Sequence, residues 1–174
     1  TSQLVFRAFG GYGRPGPNYP LTLPFQKAFY SGGANGIRAW KARTLGPGSY
    51  YDDNIAFDKT GEIVMEFNAE VRFEVIDWIE GALFVDMGNV WLYNQDSLRD
   101  RGEFEWRKSI PREIAIGAGA GIRMDLDFFL IRLDLAMPIH NPILGDNQRW
   151  VFGNYEEFKG FFTPQFVLGI GYPF

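Results

Sequence analysis

The clearest pattern in the chain lies over residues 61–76, where Ile63, Met65, Phe67, Ala69, Val71, Phe73 and Val75 alternate with Glu62, Val64, Glu66, Asn68, Glu70, Arg72 and Glu74. A period of two is the signature of a strand with one apolar and one polar face. Over about 80–93, Leu83, Val85, Met87 and Trp91 share one face and Phe84, Asp86, Gly88 and Val90 the other. Only Asp77 and its neighbours separate these two runs, which predicts a tight hairpin. The alternation returns over about 113–126, with Ile114, Ile116, Ala118, Ala120, Ile122, Met124 and Leu126 opposite Glu113, Ala115, Gly117, Gly119, Gly121, Arg123 and Asp125. A turn from Asp125 to Asp127 leads into a partner strand over about 127–138, where Phe129, Ile131, Leu133, Leu135 and Met137 face away from Arg132 and Asp134. A last strand is expected over 162–174, with Phe162, Pro164, Phe166, Leu168, Ile170, Tyr172 and Phe174 opposite Thr163, Gln165, Val167, Gly169 and Gly171. Leu4, Phe6, Ala8 and Tyr12 mark a weaker strand at the start. The count is about six, each near or above the ~9–11 residues that cross a bilayer.

The connections alternate in length: long over roughly 13–60, short near 77–79, long over roughly 93–112, short near 126 and long over roughly 138–161. In an up-and-down meander every long loop then lies at one end and every short turn at the other, the asymmetry of outer-membrane barrels. Strands lie on both sides of the Gly/Pro-rich stretch at 10–24, so it reads as the rise into a loop. Alternation alone does not say which face meets which medium, and a soluble sandwich or lipocalin-like barrel carries the same pattern. Two features favour the membrane. The polar face of 113–126 is mainly Gly and Ala, which suits a crowded lumen, and an aromatic terminal strand is an odd end for a soluble domain.

Composition agrees. Hydrophobic residues make up 46% of the 174, yet the mean hydropathy is only −0.16, so apolar and polar positions are interleaved. No run approaches the roughly 20 apolar residues of a membrane-spanning helix, a test that transmembrane strands escape. The 17 Phe, 8 Tyr and 5 Trp suit aromatic girdles. The absence of Cys excludes disulfides and thiolate metal sites. A net charge of −4 without any basic run argues against a nucleic-acid partner. Thr1 opens almost directly onto an alternating segment, which reads as a chain cut from something longer or processed. About six strands cannot close a barrel, since the smallest transmembrane examples have about eight. The expected fold is therefore all-β: about the last six strands of an antiparallel up-and-down transmembrane β-barrel. The remaining strands come from sequence before Thr1 or from another chain.

Three motifs carry a family resemblance. The segment from Phe29 to Tyr50, FYSGGANGIRAWKARTLGPGSY, resembles the long inward-folded loop of the BamA/TamA superfamily of outer-membrane assembly factors. That loop has a Gly-Gly pair, then a Val-Arg-Gly-aromatic run, then Gly-Pro; the counterparts are Gly32 and Gly33, Ile37, Arg38, Ala39 and Trp40, and Gly46 and Pro47. Ala39 departs from the family's glycine. Phe84-Val85-Asp86-Met87-Gly88 is similar to the family's Phe-x-Asp-x-Gly strand motif, and Leu168-Gly169-Ile170-Gly171-Tyr172-Pro173-Phe174 to its C-terminal β-signal. The motifs follow the family's order over essentially the whole chain, and the loop wording looks most like TamA-like proteins of Bacteroidetes.

The resemblance implies a barrel of about 16 strands in the bacterial outer membrane. It implies as partners outer-membrane lipids, the rest of the barrel, and client outer-membrane or surface proteins. It also implies that Arg38 reaches into the lumen and pairs with acidic residues of the wall. Parity puts Asp86 and Glu70 on lumen-facing sides, so they are the expected partners. In the last strand Pro173 removes a ladder donor and Gly169 and Gly171 weaken rigidity, which marks Gly169, Gly171, Tyr172, Pro173 and Phe174 as signal and as one side of a lateral seam. Secretion pores of the same superfamily, as in two-partner secretion, are the rival function, and a soluble β-sandwich binding module is the rival from another class.

Catalysis, cofactors and metals find little support. His140 is the only histidine and is expected in a surface loop. Glu113, Asp125, Asp127 and Asp134 read as solvated or lumen-lining carboxylates. The Gly pairs at 10–11 and 32–33 lack the strand-to-helix context of phosphate loops. Trp40, Trp78, Trp91, Trp106 and Trp150 read as girdle or loop-packing aromatics.

Overall fold

The structure, a computed structural model, describes residues 2–17, 22–52, 59–126, 128–151 and 164–174. In chain order its elements are β1 (Ser2–Tyr12), the two-residue strands β2 (Phe29–Tyr30) and β3 (Thr60–Gly61), β4 (Ile63–Ile76), β5 (Ile79–Trp91), the helix α1 (Trp106–Glu113), β6 (Ala115–Asp125), β7 (Leu130–His140) and β8 (Gln165–Ile170). Six strands form one antiparallel sheet in the order β1-β4-β5-β6-β7-β8, and β2 pairs with β3 inside the long β1 to β4 connection. Every neighbour in the large sheet is the next long strand in sequence, so the topology is an up-and-down meander. Phe162, Thr163 and Asp127, expected in the last strand and in a turn, lie outside the described residues.

The sheet is inside out relative to a soluble protein. Leu4, Phe6, Leu83, Phe166 and Leu168 on one face are each more than half exposed, whereas Asn68, Glu70, Asp86, Arg123 and Asp134 on the other are fully buried. A soluble sandwich requires the reverse, because burying charges while leaving apolar surface in water forfeits the main driving force of folding. The polar face is covered by the chain's own long connection. Its Ile37, Ala39, Trp40 and Leu45 form an apolar cluster with Phe84, Ala115 and Ala136 of the wall.

The small residues of β6 make room for that cover. A Cβ on Gly117 would lie 2.5 Å from the Cβ of Ala39, and one on Gly119 would meet the Leu135 carbonyl and lie 2.5 Å from the Phe84 ring. The Gly/Ala face is a seat into which the loop and the β5 side chains press.

Several boundaries differ from the sequence reading. Residues 106–112, expected within a loop, and Glu113, expected at the start of the next strand, form α1. Its buried positions are Ser109 and Glu113, both polar, so the helix shows no apolar stripe. Strand β7 runs past Pro138 to His140, because Pro138 sits where the register with β6 shifts between Ile116 and Gly117, a place where sheets accept proline. His140 is therefore the buried end of a strand, its Nδ1 2.6 Å from the Ile114 carbonyl, and not a surface-loop residue. Trp91, expected on the outward apolar face, is fully buried. Phe104 packs edge-on against it, and its Nε1 donates to the Glu113 carboxylate at 2.9 Å. Strand β8 stops at Ile170, four residues before Phe174.

In the full-length protein, Gly119→Val should destabilise the barrel by about 1–3 kcal/mol through overpacking against backbone, read as a lower unfolding temperature in detergent.

Candidate functional site

The loop from Ser31 to Tyr50 enters the concave face on a backbone that only particular residues permit. Gly32 and Gly33 adopt φ of 93° and 96°, the left-handed region open to glycine, and the Gly33 amide then donates to the Trp40 carbonyl at 2.8 Å. This closes a compact hairpin-like tip with Arg38 near its apex. The wall grips the tip at several points. Asn68 Nδ2 donates to the Gly36 carbonyl at 2.9 Å, Arg132 Nη2 to the Ala34 carbonyl at 2.8 Å, and Ser31 Oγ to Glu66 at 2.9 Å. Nearer the loop's exit, the Gly48 amide donates to the Val90 carbonyl at 2.8 Å and Asn89 Nδ2 donates to the Gly48 carbonyl at 2.9 Å. These bonds replace the water that the loop's polar groups lose on burial.

Arg38 is fully buried. Its Nε and Nη2 donate side-on to the two carboxylate oxygens of Asp86, at 2.8 and 2.9 Å, and its own backbone amide adds a third bond to Asp86 at 3.1 Å. Nη1 donates to Glu70 at 2.6 Å and lies 3.4 Å from Asp134. The guanidinium carbon lies 3.4 Å from the centre of the Phe84 ring. A planar, forked cation bonded to two carboxylates and stacked on an aromatic face is a geometry that lysine does not reproduce. Burial by itself works against the Arg38 charge, but the hydrogen bonds and charges of Asp86 and then Glu70 outweigh it and hold the pKa above the ordinary arginine value.

The cluster extends along the wall. Glu70 also receives Arg72 Nε at 2.8 Å and lies 3.1 Å from Arg123 Nη2, and Arg123 Nη1 bonds Asp134. Three carboxylates, Glu70, Asp86 and Asp134, thus face Arg38, Arg72 and Arg123, and a fourth buried arginine, Arg132, stands beside them on β7. Direct pairing with the arginines is what makes the burial of the carboxylates tolerable. Strand register places them: Asn68 opposes Asp86 across β4 and β5, Asp86 opposes Gly117 across β5 and β6, and Gly121 opposes Asp134 across β6 and β7.

The structure brings Arg38, Asp86 and Glu70 into one cluster, and Ile37, Ala39 and Trp40 pack beside them. Arg123, Arg72, Asn68 and Asp134 belong to it too, although the sequence did not single them out as partners. Their position on polar strand faces was visible; their mutual pairing depends on register, which alternation does not report. Asp134, expected as one solvated or lumen-lining carboxylate among several, is an ion-pair partner of two arginines.

The terminal motif divides. Gly169 lies in β8 opposite Arg132, and the Arg132 side chain occupies the space a Cβ there would need. Gly171 has φ of 82° and ends the ladder, so the residues after it leave the wall. Tyr172 and Phe174, expected on the apolar face, instead reach Arg72. The Tyr172 ring centre is 4.2 Å from its guanidinium carbon and that of Phe174 5.9 Å. Arg72 Nη2 also donates to the Phe174 carbonyl at 3.5 Å, and Tyr172 Oη lies 3.4 Å from Glu80. A left-handed residue reverses the direction of the chain, and Pro173 has no amide to continue the pairing. Among the described residues, no group of three or more His, Cys, Asp or Glu side chains is placed to hold a metal.

Known proteins bear on this geometry in two ways. The family model of the Omp85 superfamily domain matches residues 2–173. A curated relative, the outer membrane protein assembly factor BamA of Neisseria meningitidis serogroup B, is 33% identical over 89 residues, covering 47% of this chain and 10% of that protein. The matched stretch is thus a small part of the relative. With the exposed apolar wall, the buried arginine lock and the open six-stranded meander in place, the match over nearly the whole length settles the family: the chain belongs to the Omp85 superfamily, as part of a β-barrel of the bacterial outer membrane.

Proposed function

We propose that this chain is the working end of an outer-membrane protein assembly or translocation factor, whose loop is locked into the lumen by Arg38 and whose last strand forms one side of a lateral seam. The observation that carries the reading is the buried Arg38, bonded at once to Asp86 and Glu70 from a loop that crosses the concave face. A lock of this kind fixes a loop inside a barrel. Work on a client then falls to the wall.

Strand β8 supports that division of labour. It is one edge of the described sheet, with β1 the other. Edges in lipid must be paired, since an unsatisfied backbone group there costs several kcal/mol. We assign the pairing to further strands of the same barrel, from this polypeptide or another chain. Because the tail turns inward at Gly171, β8 offers a short ladder at the short-turn end. An incoming client strand adds to such an edge by β-augmentation, with no nucleotide or metal required. The curated relative is by name an assembly factor, and we carry that activity over as the proposal, with outer-membrane or surface proteins as clients.

Arg38→Ala in the full-length protein should destabilise the barrel and abolish support of client assembly. Removing one member of a buried pair costs about 3–5 kcal/mol, and water in the lumen lowers that figure. Arg38→Lys, which keeps the charge and loses the fork, should fall between. Detergent melting and in vivo client assembly read the two effects, and unchanged values in Arg38→Ala would remove the lock from the mechanism. Deletion of Phe174 tests the terminal signal: the amount of folded protein reaching the outer membrane should drop sharply, and normal insertion would count against that assignment.

A further inference from the structure

Arg132 differs from the other buried arginines in what it bonds. Arg38, Arg72 and Arg123 each bond a carboxylate. Arg132, on β7 and only 1% exposed, reaches neutral groups instead: Nη2 donates to the Ala34 carbonyl at 2.8 Å and to the Asn35 side-chain oxygen at 2.5 Å. Its Nε and Nη1 have no hydrogen-bond partner among the described residues. Register also sets it directly opposite Arg123 on β6, and like charges opposite one another weaken a strand pair. A buried cation without a carboxylate of its own costs stability. What the side chain joins is the better reason for its place.

It joins three parts: the side chain leaves β7, lies over Gly169 on β8, and ends on the loop tip. Gly169 is opposite Arg132 in the ladder. A Cβ there would lie 2.8 Å from Nη2 and 2.9 Å from Cζ, and nearer still to Nε, so the guanidinium uses the space that a side chain would fill. The neighbours of Gly169 on the same face do not offer that seat. Val167, opposite Asp134, carries a branched side chain, and Gly171 has left the extended conformation at φ of 82°. Sliding β8 by two residues in one direction puts Val167 under the guanidinium, and sliding it in the other brings the turn into the ladder. Parting β8 from β7 removes the floor altogether. The last strand is also the one least held by the wall: β8 spans 6 residues, against 11 to 14 in the other strands of the large sheet.

We infer that Arg132 is a positioning residue that carries the register of the last strand to the tip of the lumen loop. With Gly169 opposite it, the guanidinium lies over β8 and holds Ala34 and Asn35; when β8 shifts or parts, the side chain loses its seat and releases them. The rest of the loop stays, because Gly36 is held by Asn68 of β4, and Arg38 by Asp86 of β5 and Glu70 of β4. None of these lies on β8. The device therefore loosens the tip and leaves the lock closed. It rests on the reading of β8 as one side of the seam, since a strand joining its free edge is what moves it.

Gly169→Ala displaces the guanidinium and little else, because the three atoms nearest the new Cβ all belong to the Arg132 side chain. Arg132→Met keeps a long side chain and removes the donors. Hydrogen–deuterium exchange of the full-length protein in nanodiscs, read by mass spectrometry, compares a tip peptide over 31–37 with a wall peptide over 63–76 of β4. Each variant should speed exchange of the tip about tenfold, the scale of losing hydrogen bonds to a charged group, with the wall unchanged. The double variant should show no further gain, because both changes break one contact. Unchanged tip exchange in Gly169→Ala would overturn the inference, as would additive effects in the double variant or an equal rise in the wall. A photo-crosslinking residue in place of Phe166, on the outward face of β8, reads the seam separately: no capture of a client there would end the seam reading, while the exchange result still decides the contact.

Discussion

The bidentate bond between Arg38 and Asp86 is the contact on which the rest of the structure depends. Without it the loop has no charged anchor, and Asp86 stays buried without the cation that bonds both its oxygens. A buried carboxylate that loses its arginine is left with the desolvation cost and none of the Coulomb gain. The lock is therefore mutual: the buried arginine needs the carboxylates of the wall as partners, and the buried carboxylates need the arginine. This explains why the chain places a fully buried cation on a loop, where an arginine is ordinarily solvated.

Such a lock requires a wall that is polar inside and apolar outside, and close enough to the loop to touch it. Alternation supplies the first condition and the glycines of β6 supply the second. At Gly117 and Gly119 the space a side chain would fill is taken by Ala39 and by Phe84. The Ala at position 39, where the family has glycine, is accommodated because Gly117 opposite it has no Cβ. The polar face is thereby buried by the chain itself, which is the difference between this sheet and a half-solvated antiparallel sheet.

Much of this was legible in the sequence because a barrel wall obeys one rule, period two, over long strands. The alternation of β4 to β7 follows from it, as does the side on which Glu70, Asp86 and Asp134 stand. What escaped obeys other rules. Helix α1 buries Ser109 and Glu113, held by the Glu105 amide and Trp91 Nε1, so tertiary hydrogen bonds rather than an apolar stripe define it. His140 lay beyond Pro138, which stops a pattern reading but not a strand with a register shift. The alternation through Tyr172 and Phe174 continues on paper past a single dihedral angle at Gly171 that turns the backbone away. Arg123 and Asp134 were on the correct faces, and only the pairing of β6 with β7 makes them neighbours.

Glu70 joins the loop to the end of the chain. Its Oε2 receives Arg38 and lies within ion-pair distance of Arg123, while its Oε1 receives Arg72, the same side chain that stacks on Tyr172 and bonds the Phe174 carbonyl. Loop and tail therefore depend on the two oxygens of one carboxylate. Groups that share a partner are energetically coupled, by about 0.5–3 kcal/mol in measured cases. Releasing Arg38 leaves Glu70 facing two arginines and strengthens its hold on Arg72; releasing the tail frees Arg72 to adjust around Glu70. The position of the loop and the hold on the last residues are thus one electrostatic problem, set by a single side chain on β4.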